Sequence, residues 1–221
     1  NFANMLCMDD AVSIDTDNER IWVHNLELFY GKTGGDSDQA KGDGTIDLKG
    51  DSKYITVAYN HLWDSGKASL CGMKSESGPN WITYHHNWFD HSDSRHPRIR
   101  TMSVHVYNNY VDGNAKYGVG AAYKSNAFVE NNYFRNCKYP MLISKQGSDV
   151  ATDPKGTFSG EDGGMIKSFG NYITGAIRYV TYQQNNMEFD AYEATTRDEQ
   201  VPANVVANLG GRGYDNFDTN A

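Results

Sequence analysis

Runs of β-branched and aromatic residues interleaved with polar ones recur along the chain, each closing on Asn followed by an aromatic or apolar residue. They are Tyr54-Ile-Thr-Val-Ala-Tyr-Asn60-His-Leu62, Trp81-Ile-Thr-Tyr-His-His-Asn87-Trp-Phe89, Val104-His-Val-Tyr-Asn-Asn109-Tyr-Val111, Ala127-Phe-Val-Glu-Asn-Asn132-Tyr-Phe134 and Lys167-Ser-Phe-Gly-Asn171-Tyr-Ile173. Ile21-Trp-Val-His-Asn-Leu-Glu-Leu28 is a degenerate first copy. Each reads as a short strand. The repeated asparagines lie 27, 22, 23 and 39 residues apart, as in a coil of fixed circumference with loops inserted on one side.

That period predicts a β-solenoid, whose rungs bury their inward residues only by stacking on one another. Asparagine at one place per rung tolerates a left-handed bend, and its amide can bond to the rungs above and below. A β-sandwich would need many Asn-Gly or Asp-Gly hairpins. Only Asp43-Gly44, Asp112-Gly113 and Asp162-Gly163 occur. Long intervals mark polar, Gly/Asp-rich insertions at 31–44, where Asp36 and Asp38 offer further acids, and at 145–164. Beyond Val180 the repeat fades, and 201–210 reads as a short helix, with Pro202 near its first turn and Gly210 past its end, in a tail along the flank. No linker divides residues 1–221, so a single domain is expected.

Composition narrows the partners. The longest apolar runs are four or five residues, far short of the roughly 20 that cross a bilayer. A membrane span is therefore not expected. With 28 acids against 20 bases and a net charge of −8, the chain lacks the basic footprint of a nucleic-acid binder. Cys7, Cys71 and Cys137 fit no zinc spacing and read as buried small residues. The chain opens without a basic and apolar leader, as a processed chain or one incomplete at its start would.

Charged residues concentrate on neighbouring rungs. Asp43 and Asp47 share a face if the segment is extended, and Asp10 begins the preceding rung. Three converging carboxylates suit a hard cation such as Ca²⁺. Lys67 follows one turn later, then Arg95-His-Pro-Arg-Ile-Arg100, which its proline keeps extended so that Arg98 and Arg100 point one way. Arg98 reads as an ion-pair former. Arg95 and Arg100 read as binders of sugar carboxylates, which guanidinium groups hold bidentately. His85 and His86, adjacent on a strand, should face apart and so chelate nothing jointly.

In this order, Asp10-Ala-Val-Ser-Ile, Asp43-Gly-Thr-Ile-Asp47, Tyr54-Ile-Thr-Val, Lys67, Thr83-Tyr-His-His-Asn87, Arg95-His-Pro-Arg-Ile-Arg100 and Val104-His-Val-Tyr-Asn-Asn109-Tyr resemble the pectate lyase family, polysaccharide lyase family one. The resemblance implies a right-handed parallel β-helix, secreted or periplasmic, that cleaves pectate (polygalacturonate) by Ca²⁺-assisted β-elimination. It implies calcium ligands at Asp10, Asp43 and Asp47, a base at Arg95, and substrate-carboxylate binders at Lys67 and Arg100. Gly66, where members carry Asp before the lysine, and Met102, where they carry Gly, depart from the pattern. The family has a cap and early rungs ahead of Asp10, so either this chain is a piece of a longer one or a second polypeptide covers that end of the solenoid. The rival functions are a pectin lyase on methyl-esterified substrate, a β-helical hydrolase using paired carboxylates, and a non-catalytic pectin-binding module.

Overall fold

A computed structural model describes residues 7, 9–30, 43–114, 116–144, 161–175, 183–184 and 187–188. The expected tail helix at 201–210, Asp36 and Asp38, and most of the second insertion lie outside them. Among the described residues all regular structure is β, and no helix is long and apolar enough to cross a membrane.

Eighteen strands form six rungs of three. The first rung is β1 (Val12–Ile14), β2 (Glu19–His24) and β3 (Glu27–Phe29); the second is β4 (Gly44–Leu48), β5 (Lys53–Ala58) and β6 (His61–Trp63). Then come β7 (Lys67–Cys71), β8 (Ile82–His85) and β9 (Trp88–Asp90), followed by β10 (Arg98–Ile99), β11 (Ser103–Tyr107) and β12 (Tyr110–Asp112). The last two are β13 (Val119–Ala121), β14 (Asn126–Glu130) and β15 (Tyr133–Arg135), and β16 (Met141–Ile143), β17 (Met165–Phe169) and β18 (Tyr172–Thr174). The first strands of all rungs make one parallel sheet, the second strands another and the third strands a third. A short antiparallel pair, β19 (Gln183–Gln184) and β20 (Met187–Glu188), follows. The architecture is a parallel β-helix, the β-solenoid that the repeat predicted and the form that the family resemblance implied.

The core is a set of columns, because each inward residue stacks on its register partner. In the third sheet Leu28, Leu62, Phe89, Val111, Phe134 and Ile173 form one continuous column. All but the half-buried Leu28 are at most 3% exposed, and each such side chain contributes roughly 1.5–3 kcal/mol. Ile55, Ile82, Val104, Ala127 and Ile166 do the same in the second sheet. Cys71 and Cys137 are buried as expected, whereas Cys7 is exposed.

The repeated asparagines form a buried amide ladder at the bend between second and third sheets. The Nδ2 of Asn60 donates to Oδ1 of Asn87 at 3.0 Å; Asn87 to Asn109, Asn109 to Asn132 and Asn132 to Asn171 follow at 2.9 Å. Each Oδ1 also accepts the backbone N–H of the asparagine before it, at 2.9–3.1 Å. At the first rung Leu26 takes the ladder position, and its N–H donates to Asn60. The left-handed conformation falls one residue earlier than expected, at Tyr59, His86, Asn108, Asn131 and Gly170. A second left-handed position recurs after the third sheet, at Asp64, His91, Gly113, Asn136 and Gly175.

That bend also corrects the reading of the histidines. His86 stands at the left-handed position, φ 53°, immediately after β8. The chain turns there instead of continuing as a strand, and the Nδ1 atoms of His85 and His86 come within 2.7 Å.

Candidate active site

The charged residues singled out in the sequence gather along the first sheet. Asp9 and Asp10 lie just before β1, Asp43 just before β4, Asp47 within β4 and Lys49 just after it. Lys67 opens β7, in register with Gly44, so its Nζ reaches Asp43 Oδ1 at 3.3 Å. The N–H of Ser69 donates to the carbonyl of Arg95, and Ser69 pairs with Ile46. Arg95 therefore rides two rungs along from Asp47. Asp47, Leu70 and Arg98 share one column.

Carboxylate oxygens of Asp9, Asp10 and Asp43 lie within 4.8 Å of one another. Asp10 is the anchored member, its side chain 7% exposed. Its Oδ2 accepts from Lys49 Nζ at 2.7 Å, while its Oδ1 is buried without a hydrogen-bond partner. A buried bare carboxylate oxygen costs about 1–3 kcal/mol or more, a cost that a cation at this oxygen would remove. The hard-oxygen donor set and the unpartnered oxygen both fit Ca²⁺.

Asp47 lies deeper than the exposed Asp43. Its Oδ1 accepts the N–H of Leu70 at 3.1 Å, and Oδ2 lies 3.5 Å from Lys49 Nζ. Burial, then the charge of Asp10, push it up to about 6, against the pull of Lys49 and Arg95. Gly44 makes this position possible: a Cβ there would collide with the Asp47 carboxylate. The spacing D-G-x-x-D thus joins two acids in different environments, one exposed and one buried. Burial is the largest single influence on Asp43 and raises it, but Lys67, the Gly44 N–H and Asp9 together outweigh it and the group is net lowered.

The cations divide. Arg95, half-buried with φ 66°, makes no guanidinium hydrogen bond or ion pair among the described residues. Arg98 and Arg100 point the same way, as the extended segment predicted, and both meet Glu161. Arg100 holds it as a fork, with Nε to Oε2 at 3.0 Å and Nη2 to Oε1 at 2.9 Å, and Arg98 Nη2 lies 3.5 Å from Oε1.

Sequence reasoning missed Asp9, Lys49 and Glu161. Lys49 stands two residues after Asp47, on the same face by strand periodicity, and could have been found. Glu161 lies 61 residues from Arg100 behind a long insertion, and no local signal links them. A cavity of 490 Å³ opens elsewhere, on the second sheet beside Trp81, His105, Phe128 and Lys167. The clustered chemistry of the first sheet identifies the site better than concavity does.

Comparison with known proteins bears on this arrangement. The family profile described as Pectate lyase matches residues 7–211. The chain is 35% identical over 134 residues to a pectate trisaccharide-lyase of Bacillus licheniformis, covering 60% of this chain and 38% of that protein. It is 32% identical over 178 residues to pectate lyase B of Dickeya chrysanthemi, covering 78% and 44% respectively. Among solved structures, pectate lyase II of Xanthomonas campestris aligns with a TM-score of 0.67 at 26% identity, over 92% of this chain and 64% of that one. Pectate lyase C of Erwinia chrysanthemi aligns with a TM-score of 0.62 at 28% identity, over 79% and 49%. The chain spans less than half the length of these two curated relatives.

Proposed function

The chain belongs to the pectate lyase family, and from that premise we propose that it cleaves α-1,4-polygalacturonate by calcium-assisted β-elimination, acting outside the cytoplasm where that polymer is found. The observation that carries the reading is the group Asp9, Asp10 and Asp43, with a bare buried oxygen on Asp10, along the same sheet as Asp47, whose charge the guanidinium of Arg95 stabilises. Asp10 and Asp43 would hold calcium, with Asp9 as a further ligand and Asp47 alongside. Pectate lyase C, solved at pH 9.5 with Ca²⁺, supports the same choice of ion. Calcium would supply positive charge next to the uronate carboxylate and so make the neighbouring C5 proton more acidic.

The chain's own residues do the rest. Lys67, already 3.3 Å from a carboxylate oxygen, binds and orients the uronate carboxylate. Arg95 takes the proton from C5. The electron pair left there forms the C4–C5 double bond as the bond from C4 to the glycosidic oxygen breaks, and that oxygen takes a proton from water. A guanidine accepts a proton only in its neutral form, so the rate should rise toward alkaline pH.

Ultraviolet absorbance of the unsaturated product on polygalacturonate, with and without chelator, tests the reading. Absorbance that disappears with chelator is the expected result. New reducing ends without absorbance would mean a hydrolase, and absorbance on methyl-esterified substrate that survives chelator would mean a pectin lyase. Binding without cleavage would mean a recognition module.

A further inference from the structure

Glu161 precedes β17, yet its carboxylate lies on cations of much earlier rungs. Arg100 donates from Nε at 3.2 Å to Oε1 and 3.0 Å to Oε2, and from Nη2 at 2.9 Å to Oε1. Lys74 Nζ lies 3.0 Å from Oε1 and Arg98 Nη2 3.5 Å from it. The side chains of Glu161, Arg98 and Arg100 are only 17, 12 and 14% exposed, while Lys74, at 45%, opens the group to solvent. Burial alone would raise Glu161, but the bonds from Arg100 and Lys74 outweigh it and hold it down at about 2.

A guanidinium fork on a carboxylate, flanked by two further cations, is also how a protein would recognise a uronate. Arg100 is therefore already satisfied by a carboxylate of its own chain in a bidentate fork, whereas Lys67 meets Asp43 through a single contact at 3.3 Å. We infer that Glu161 is an internal surrogate for a uronate carboxylate: it fills a subsite built by Arg98, Arg100 and Lys74 in the free protein, and a polyuronate enters that subsite only when the Glu161 side chain turns away. This rests on the polyuronate-binding reading above. The consequence is a specificity device. Apparent affinity is lowered by the fraction of molecules in which the fork is open, so the subsite favours ligands with enough other contacts to displace Glu161.

Glu161→Gln keeps the shape and removes the charge. In calcium buffer it should bind trigalacturonate about tenfold more tightly than the parent chain, as expected if the fork is open about a tenth of the time, measured by titration calorimetry. A second readout is independent of pectate: the rate at which phenylglyoxal modifies Arg100, followed by peptide mass. The variant should react faster, and acetate should slow it, whereas acetate should leave the parent's rate unchanged. A folded Glu161→Gln variant with unchanged or weaker trigalacturonate binding and an equally slow Arg100 would overturn the inference and make the contact a structural tie. If Glu161→Gln does not fold, Glu161→Asp, one methylene too short for the fork, should show an intermediate gain; parental affinity and parental Arg100 reactivity in that variant would equally overturn it. If neither protein binds trigalacturonate, the pectate reading fails, and Arg100 reactivity still decides whether Glu161 occupies a carboxylate subsite.

Discussion

Asp47 carries the sharpest electrostatic conflict among the described residues. It is 3% exposed and lies beside the charge of Asp10, and the two effects push it from 3.8 to about 6. A raised carboxylate stabilises the fold while protonated and loses that contribution as pH rises through about 6. Above that pH the metal-free fold must hold an ionised Asp47 next to Asp10, and a bound divalent cation offsets the repulsion. Calcium should therefore raise the melting temperature more at pH 8 than at pH 5, and Asp47→Asn should flatten this difference; an equal increment at both pH values would refute the account. Arg95 sits in the same field but has no ion pair of its own among the described residues. Arg95→Ala should lower the rate by about 10²–10⁴-fold, the usual contribution of a positioned base, while calcium affinity stays near that of the parent. Comparable loss of both activity and calcium binding would instead make Arg95 part of the metal site.

At the scale of the element, the unit is the bend that carries the asparagine ladder. Asn109 is fully buried, and its amide donates to Asn132 Oδ1, Tyr84 O and Tyr107 O while accepting from Asn87 twice. Asn109→Ala strands partners on both sides of its rung, at about 1–3 kcal/mol for each unsatisfied buried group. Urea unfolding should show a larger loss for Asn109→Ala than for Asn171→Ala, because Asn171 ends the described ladder. Equal losses would mean that the ladder does not act as a column. This element was legible in the sequence because stacking forces identical chemistry at fixed intervals. The left-handed residue beside it was not, since Tyr59, His86, Asn108, Asn131 and Gly170 share a backbone conformation but no side-chain chemistry. The same contrast holds at the site. Lys67 opens β7, Asp10, Asp43 and Arg95 lie one to three residues ahead of the first strands of their rungs, where the rung period places them, and Asp47 stands within β4. Glu161 reaches Arg100 from behind an insertion whose length no period constrains, and His85 and His86 meet because the chain bends at His86, where strand alternation no longer holds.

Over the whole molecule, the response to acid is the sum of groups that the β-helix buries on different rungs. Burial holds His96 down at about 3, against a weaker opposing pull from the Tyr117 backbone; burial, then His86 and His105, hold His85 at about 4. Both start from 6.5. A depressed histidine is neutral in the fold and charged in the unfolded chain over that window, so the unfolded state takes up the protons and stability falls as pH drops below 6.5. Glu161, depressed from 4.5 to about 2, adds a loss at lower pH as its carboxylate is protonated and the fork with Arg100 is lost. Asp47 works in the opposite direction between about 6 and 3.8, but it is one group against two with shifts at least as large. Urea midpoints in chelator should therefore decline from pH 7 to pH 4. His96→Leu, which removes the most deeply buried imidazole, should flatten that decline even though its repacking lowers the midpoint at pH 7. A decline of the same steepness in the variant would place the acid sensitivity elsewhere, in the carboxylates that give the chain its net charge of −8.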